Sequence, residues 1–144
     1  MRKQTGFTLI EIAIVLVIIG LLLGGVLKGQ ELITAARVRN LASQLDGVKV
    51  AYFGFQDRFR ALPGDLVTAT ANANIQGNPG GCAAAVTCGN GIIDATEIWV
   101  VWNQLSKAGF ITGSYNGVFG VDTAPTPANN PNNPFGGYLQ LIND

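Results

Sequence analysis

Between Phe7 and Leu27 the chain reads FTLIEIAIVLVIIGLLLGGVL, and its only charge is Glu11. A carboxylate in hydrocarbon costs about 2.5–3.5 kcal/mol at a bilayer centre, so an acid retained there marks a function or a partner that neutralises it. Two cysteines, Cys82 and Cys88, enclose the loop CAAAVTC. That loop could be closed by a disulfide in an oxidising compartment. Zinc fits less well, because two thiols with no histidine anywhere supply too few ligands.

Other chemistry lacks its parts. There is no His, no Ser or Cys beside a plausible base, and no phosphate-cradling or dinucleotide pattern. Asp57, Asp65, Asp94 and Glu97 suit surface pairing and helix caps better than paired acid–base work. Asn90, Gly91, Ile93, Asp94 and Glu97 fall in an EF-hand-like spacing, but Val86 and Cys88 then occupy positions that need oxygen ligands. The expectation is no enzyme activity, no cofactor and no metal site. Nine basic residues balance nine acidic ones in 144, so no nucleic-acid surface is indicated either.

The element that must carry Glu11 is a helix. At about 1.5 Å per residue, 21 residues cover the roughly 30 Å core of a bilayer. Arg2 and Lys3 precede the run and favour a cytoplasmic N-terminus, although Lys28, Arg37 and Arg39 on the far side weaken the asymmetry. A secretory signal peptide would have a shorter apolar region and a small-residue cleavage site close behind it. A plain single-pass anchor would leave Glu11 without a reason.

RKQTGFTLIEIAIVLVIIG closely resembles the leader and N-terminal helix of type IV prepilins and type II secretion pseudopilins. It has a short basic leader, then Gly6, Phe7 and an acid four residues after Phe7. The resemblance implies that a prepilin peptidase cuts between Gly6 and Phe7 and methylates the new amine of Phe7. It also implies that Glu11 pairs with the Phe7 amine of a neighbouring subunit during assembly. The N-terminal location of Glu11 in its own helix is a rival explanation, since the macrodipole favours an acid there. Gly20, Gly24 and Gly25 lower helix propensity by about 1 kcal/mol each. They are the places where such a helix would melt locally in a filament, or where neighbouring helices would approach closely.

Apolar residues continue at Val38, Leu41, Leu45, Val48, Tyr52, Phe55, Phe59 and Leu62 at helical spacing. The expected helix runs from about Phe7 to about Arg60, roughly 80 Å at the usual rise. Tyr52, Phe53, Phe55 and Phe59 are expected to fill a globular core, and Pro63 ends the helix. Ala69 to Gly91 reads as a loop. DATE at Asp94–Glu97 reads as a variant capping box opening a second helix, about Ala95 to Ala108, with Ile98, Trp102 and Leu105 on one face and Gly109 as its stop. FQDRFRALPGD followed by EIWVVWNQLSKAGFITG is also similar to a group of bacterial pilin-like proteins. The tail patches GVFGV and GYLQLI suggest short strands.

The fold class expected is α+β: a long N-terminal helix, transmembrane in its first half and amphipathic in its second, packed on a small antiparallel sheet. The head is either minimal or truncated, because the chain stops where a strand begins. Four segments follow: a leader at 1–6, a membrane or filament-core helix at 7–27, its amphipathic continuation at 28–62, and a head at 63–144. The resemblance implies a pilus-like filament subunit or a type II secretion pseudopilin, held in the bacterial inner membrane with its N-terminus cytoplasmic and then assembled into a periplasmic or extracellular fibre. Its partners would be the prepilin peptidase, the inner-membrane assembly machinery, membrane lipid and identical or related subunits.

Overall fold

The computed structural model describes residues 6, 8–82, 88–95, 97–117 and 124–141. They contain three helices: α1 (Leu9–Phe59), α2 (Thr68–Asn74) and α3 (Ile98–Lys107). The chain divides into two units, Met1–Arg39 and Asn40–Asp144, so α1 contributes its apolar half to the first and its remainder to the second.

In the first unit α1 is unbroken through Gly20, Gly24 and Gly25, and a side chain at any of them would meet open space. Its apolar residues are exposed, as Leu21 at 74% illustrates. A helix apolar on every side has no polar face to turn to water and must be buried by lipid or by other chains. By length and composition α1 is able to cross a membrane.

In the second unit the core gathers Ala51 and Phe55 from α1, Leu66, Ala71 and Ile75 from the turn and helix that follow, and Val101, Trp102 and Leu105 from α3. The buried face of α1 follows the expected stripe at Phe55, which is buried, and at Val48 and Phe59, which pack against the core. It departs at Leu45, which is exposed, and at Phe53, expected in the core but 63% exposed, while Ala51 is buried. The reason is close approach: a Cβ on Gly54 would sit 2.9 Å from the Phe110 ring. The helix therefore turns its small residues toward the interior and two large rings, Phe55 and Phe59, fill the space beside them with centroids 4.5 Å apart.

The helix ends at Phe59, next to the expected end near Arg60, and Arg60 takes a left-handed conformation with φ 56°. The turn Pro63–Gly64–Asp65 is fully buried against α3. Gly64 has φ +100°, and a Cβ there would lie 2.7 Å from Val101 Cγ2. The segment read as a loop from Ala69 contains α2, whose Ala71 reaches the core. The loop reading failed there because alanines among threonines and asparagines carry no amphipathic signal strong enough to mark a seven-residue helix.

The second helix begins later than expected. Ala95 and Glu97 lie in a turn rather than in α3. Both Glu97 N–H and Ile98 N–H donate to the Asp94 carbonyl, at 3.1 and 3.2 Å.

The expected antiparallel sheet is not seen among the described residues, where β-pairing is limited to two isolated bridges, Val67 with Cys82 and Asn132 with Tyr138. Leu139 N–H donates to Pro131 C=O and Asn133 N–H to Gly137 C=O, but no ladder grows from them. Pro131 and Pro134 lack the N–H that a ladder requires. Asparagine side chains take up backbone groups instead: Asn133 Oδ1 accepts from the N–H groups of Phe135 and Gly137, and Asn130 Nδ2 donates to Leu139 C=O. The GVFGV patch lies mostly outside the described residues.

Candidate functional site

The first candidate site is the start of α1. Gly6 is exposed and outside the helix, which begins at Leu9; Phe7 lies outside the described residues. Glu11 Oε2 accepts from Thr8 N–H at 2.8 Å and from Thr8 Oγ1 at 2.7 Å. Glu11 N–H is 3.4 Å from Thr8 Oγ1, a long reciprocal contact. Thr8 and Glu11 thus form a capping box, with the threonine at the N-cap and the acid three residues on. Reading the sequence for charge alone passed over Thr8. The available signal was the pattern T-x-x-E directly before an apolar run.

The second candidate site is a cluster of acids beside the cysteines. Cys82 and Cys88 are joined by a disulfide with Cα atoms 5.7 Å apart. A carboxylate oxygen of Glu97 and both sulfurs lie within 4.8 Å of one another. Bonded sulfurs are not free thiolates, so these groups do not make a metal centre in this state. Asp65 gathers the backbone N–H groups of the loop after Cys88. Its Oδ1 accepts from Gly89 N–H at 2.5 Å and from Asn90 N–H at 3.2 Å, and its Oδ2 from Gly91 N–H at 2.8 Å.

Glu97 is wholly buried. Its Oε2 accepts from Asp94 N–H at 2.9 Å, while Asp94 Oδ1 accepts from Glu97 N–H at 3.2 Å. These reciprocal bonds place the expected capping box one turn ahead of α3. Glu97 Oε1 has no conventional donor among the described residues. Burial pushes the Glu97 carboxyl above its ordinary 4.5; the Asp94 N–H bond opposes this, and the neighbouring acids Asp94 and Asp65 raise it further.

This predicts a pH dependence. In the interval between the unfolded value near 4.5 and the raised folded value, the native state holds more protons than the unfolded one. The stabilising contribution of neutral Glu97 is therefore complete below 4.5 and is lost as pH rises through that interval. Glu97→Gln, neutral at every pH, should remove this component. The measurement is the difference in denaturant midpoint between the two proteins across pH 4 to 9, and a difference that does not change with pH contradicts the assignment.

Two buried amides on α3 also escaped the sequence reading. Gln104 Oε1 accepts from Gly64 N–H at 2.7 Å and its Nε2 donates to Gly80 C=O at 3.1 Å, while Asn103 Nδ2 donates to Pro79 C=O. They pin the turn after α1 and the approach to Cys82 onto α3. The signal was NQ inside WVVWNQL, where amides within an apolar helical run need buried partners.

Residues 1–27 match the prokaryotic N-terminal methylation motif, the prepilin-type signature of type IV pilins and pseudopilins. The signature implies processing by a prepilin peptidase and assembly with pilin subunits; with the apolar helix it points to a membrane-anchored precursor. No curated protein and no solved structure matches the chain.

Proposed function

We propose that this chain is a structural subunit of a type IV pilus-like filament. It would be held in the bacterial inner membrane by α1, cut between Gly6 and Phe7, N-methylated at Phe7, and then moved by the assembly machinery into a helical fibre. The observation that carries this reading is the prepilin signature running directly into an apolar helix that is exposed all round. Packing among identical helices would keep that surface out of water once the subunit leaves the lipid.

Glu11 and the Phe7 amine of a neighbouring copy would set the axial step, each neutralising a charge that hydrocarbon disfavours. The fibre is a heterologous assembly that does not close on itself.

The test is the intact mass and N-terminal sequence of the membrane-extracted protein, made with and without a prepilin peptidase. A chain beginning at methylated Phe7 is expected only with the peptidase, and sheared fibres containing it complete the case. Retention of Met1 in the peptidase's presence overturns the reading. Processing without fibre formation by this subunit favours a pseudopilin of a secretion apparatus.

A further inference from the structure

We propose that Cys82–Cys88 is a thiol–disulfide exchange site in which Glu97 delivers the proton to the departing Cys82 sulfur. The ligand class is a thiolate, from a small thiol or a dithiol oxidoreductase. Three observations on the structure converge on it. A Glu97 oxygen lies within 4.8 Å of both sulfurs, the Glu97 side chain is buried, and its Oε1 has no hydrogen-bond partner among the described residues. Cys82 is buried and Cys88 only partly so, which directs an incoming thiolate to Cys88.

In the forward step a reagent thiolate attacks Cys88 Sγ, forming a mixed disulfide as the Cys82–Cys88 bond breaks. Cys82 Sγ leaves with the electron pair and takes the proton of the Glu97 carboxyl. Water returns a proton to Glu97. The second thiol of a dithiol reagent then attacks the mixed disulfide, closes the oxidised reagent and releases the Cys88 thiol. Two electrons pass from reagent to protein, and oxidation is the same path reversed. A buried thiolate is a poor leaving group, because it must form away from water, so a neutral acid beside it lowers the barrier.

The charged groups facing Glu97 are Asp94 in its own turn and Asp65 in the turn after α1; the Tyr52 phenol, on α1, is in turn raised by burial and by Asp65. All of the carboxylates oppose ionisation of Glu97 and so keep its proton available.

The experiment measures the second-order rate of reduction by dithiothreitol from pH 5 to 9, using the full chain in detergent micelles. Wild-type rates should first rise in proportion to reagent thiolate and then fall below that line once Glu97 ionises. Glu97→Gln should follow the line throughout and be slower by about tenfold at the acidic end. A loosened fold would expose the disulfide and speed reduction, the opposite sign. Asp94→Asn, which keeps Glu97 but removes a neighbouring negative charge, should move the break to lower pH and serves if the Gln variant does not fold. A wild-type profile without a break, a Gln variant that matches wild type, or a break unmoved by Asp94→Asn overturns the proposal.

Discussion

Trp102→Ala is expected to destabilise the second unit by about 3–5 kcal/mol, the range for truncating a large buried aromatic. Trp102 is among the largest fully buried side chains and joins Phe55, Leu105 and Val101 in the core. Its ring N–H has no hydrogen-bond partner among the described residues, so the loss is one of packing and of apolar burial. Against a total stability of roughly 5–15 kcal/mol, that is enough to unfold a marginal domain at ordinary temperature. Phe53→Ala, on the exposed side of α1, should stay within about 0.5 kcal/mol of wild type. Denaturant unfolding of the full chain in detergent, followed by near-ultraviolet circular dichroism, compares the two. Equal effects would mean that the two aromatics are packed alike and that the core described above is wrong.

The second large effect concerns Glu11, for which two roles compete. As half of a capping box it serves its own helix, where losing the Thr8 cap costs about 0.5–2 kcal/mol. As the partner of a neighbour's Phe7 amine it serves assembly, where a charge left unpaired in hydrocarbon costs about 2.5–3.5 kcal/mol, roughly a hundredfold in incorporation. Glu11→Ala is expected to leave membrane insertion and cleavage intact and to reduce incorporation by that order. Glu11→Gln separates the roles, because the amide still accepts from Thr8 but carries no charge. Gln should fail with Ala, while Thr8→Ala should retain most incorporation. The readout is the ratio of subunit in sheared fibres to subunit in membranes. If Thr8→Ala and Glu11→Ala lose equally while Glu11→Gln is normal, the helix cap accounts for Glu11 and the assembly role fails.

The disulfide and the start of α1 lie in separate parts of the chain. Reduction kinetics at Cys82–Cys88 are read without fibres, and fibre incorporation is read without a reducing agent.

The sequence by itself determined the elements whose signal is local and repeated. The apolar run with its single acid, the basic leader and Gly6–Phe7 are contiguous, so the prepilin signature was legible without any fold. The helical spacing past Val38 marked the continuation of α1, and DATE marked the turn that leads into α3. What only tertiary structure decided was how closely that face of α1 approaches its neighbours. Ala51 and Gly54 are small enough to let the core and Phe110 come in, and no spacing of large apolar residues marks them. Asp65 is 24 residues from Gly89, and Gln104 is 40 from Gly64, so neither pairing leaves a mark on local pattern. The meeting of Glu97 with the disulfide is of the same kind. A capping acid and two cysteines were each visible in the sequence, but their convergence depends on how α3 packs on the turn after α1, and that is set by burial rather than by spacing.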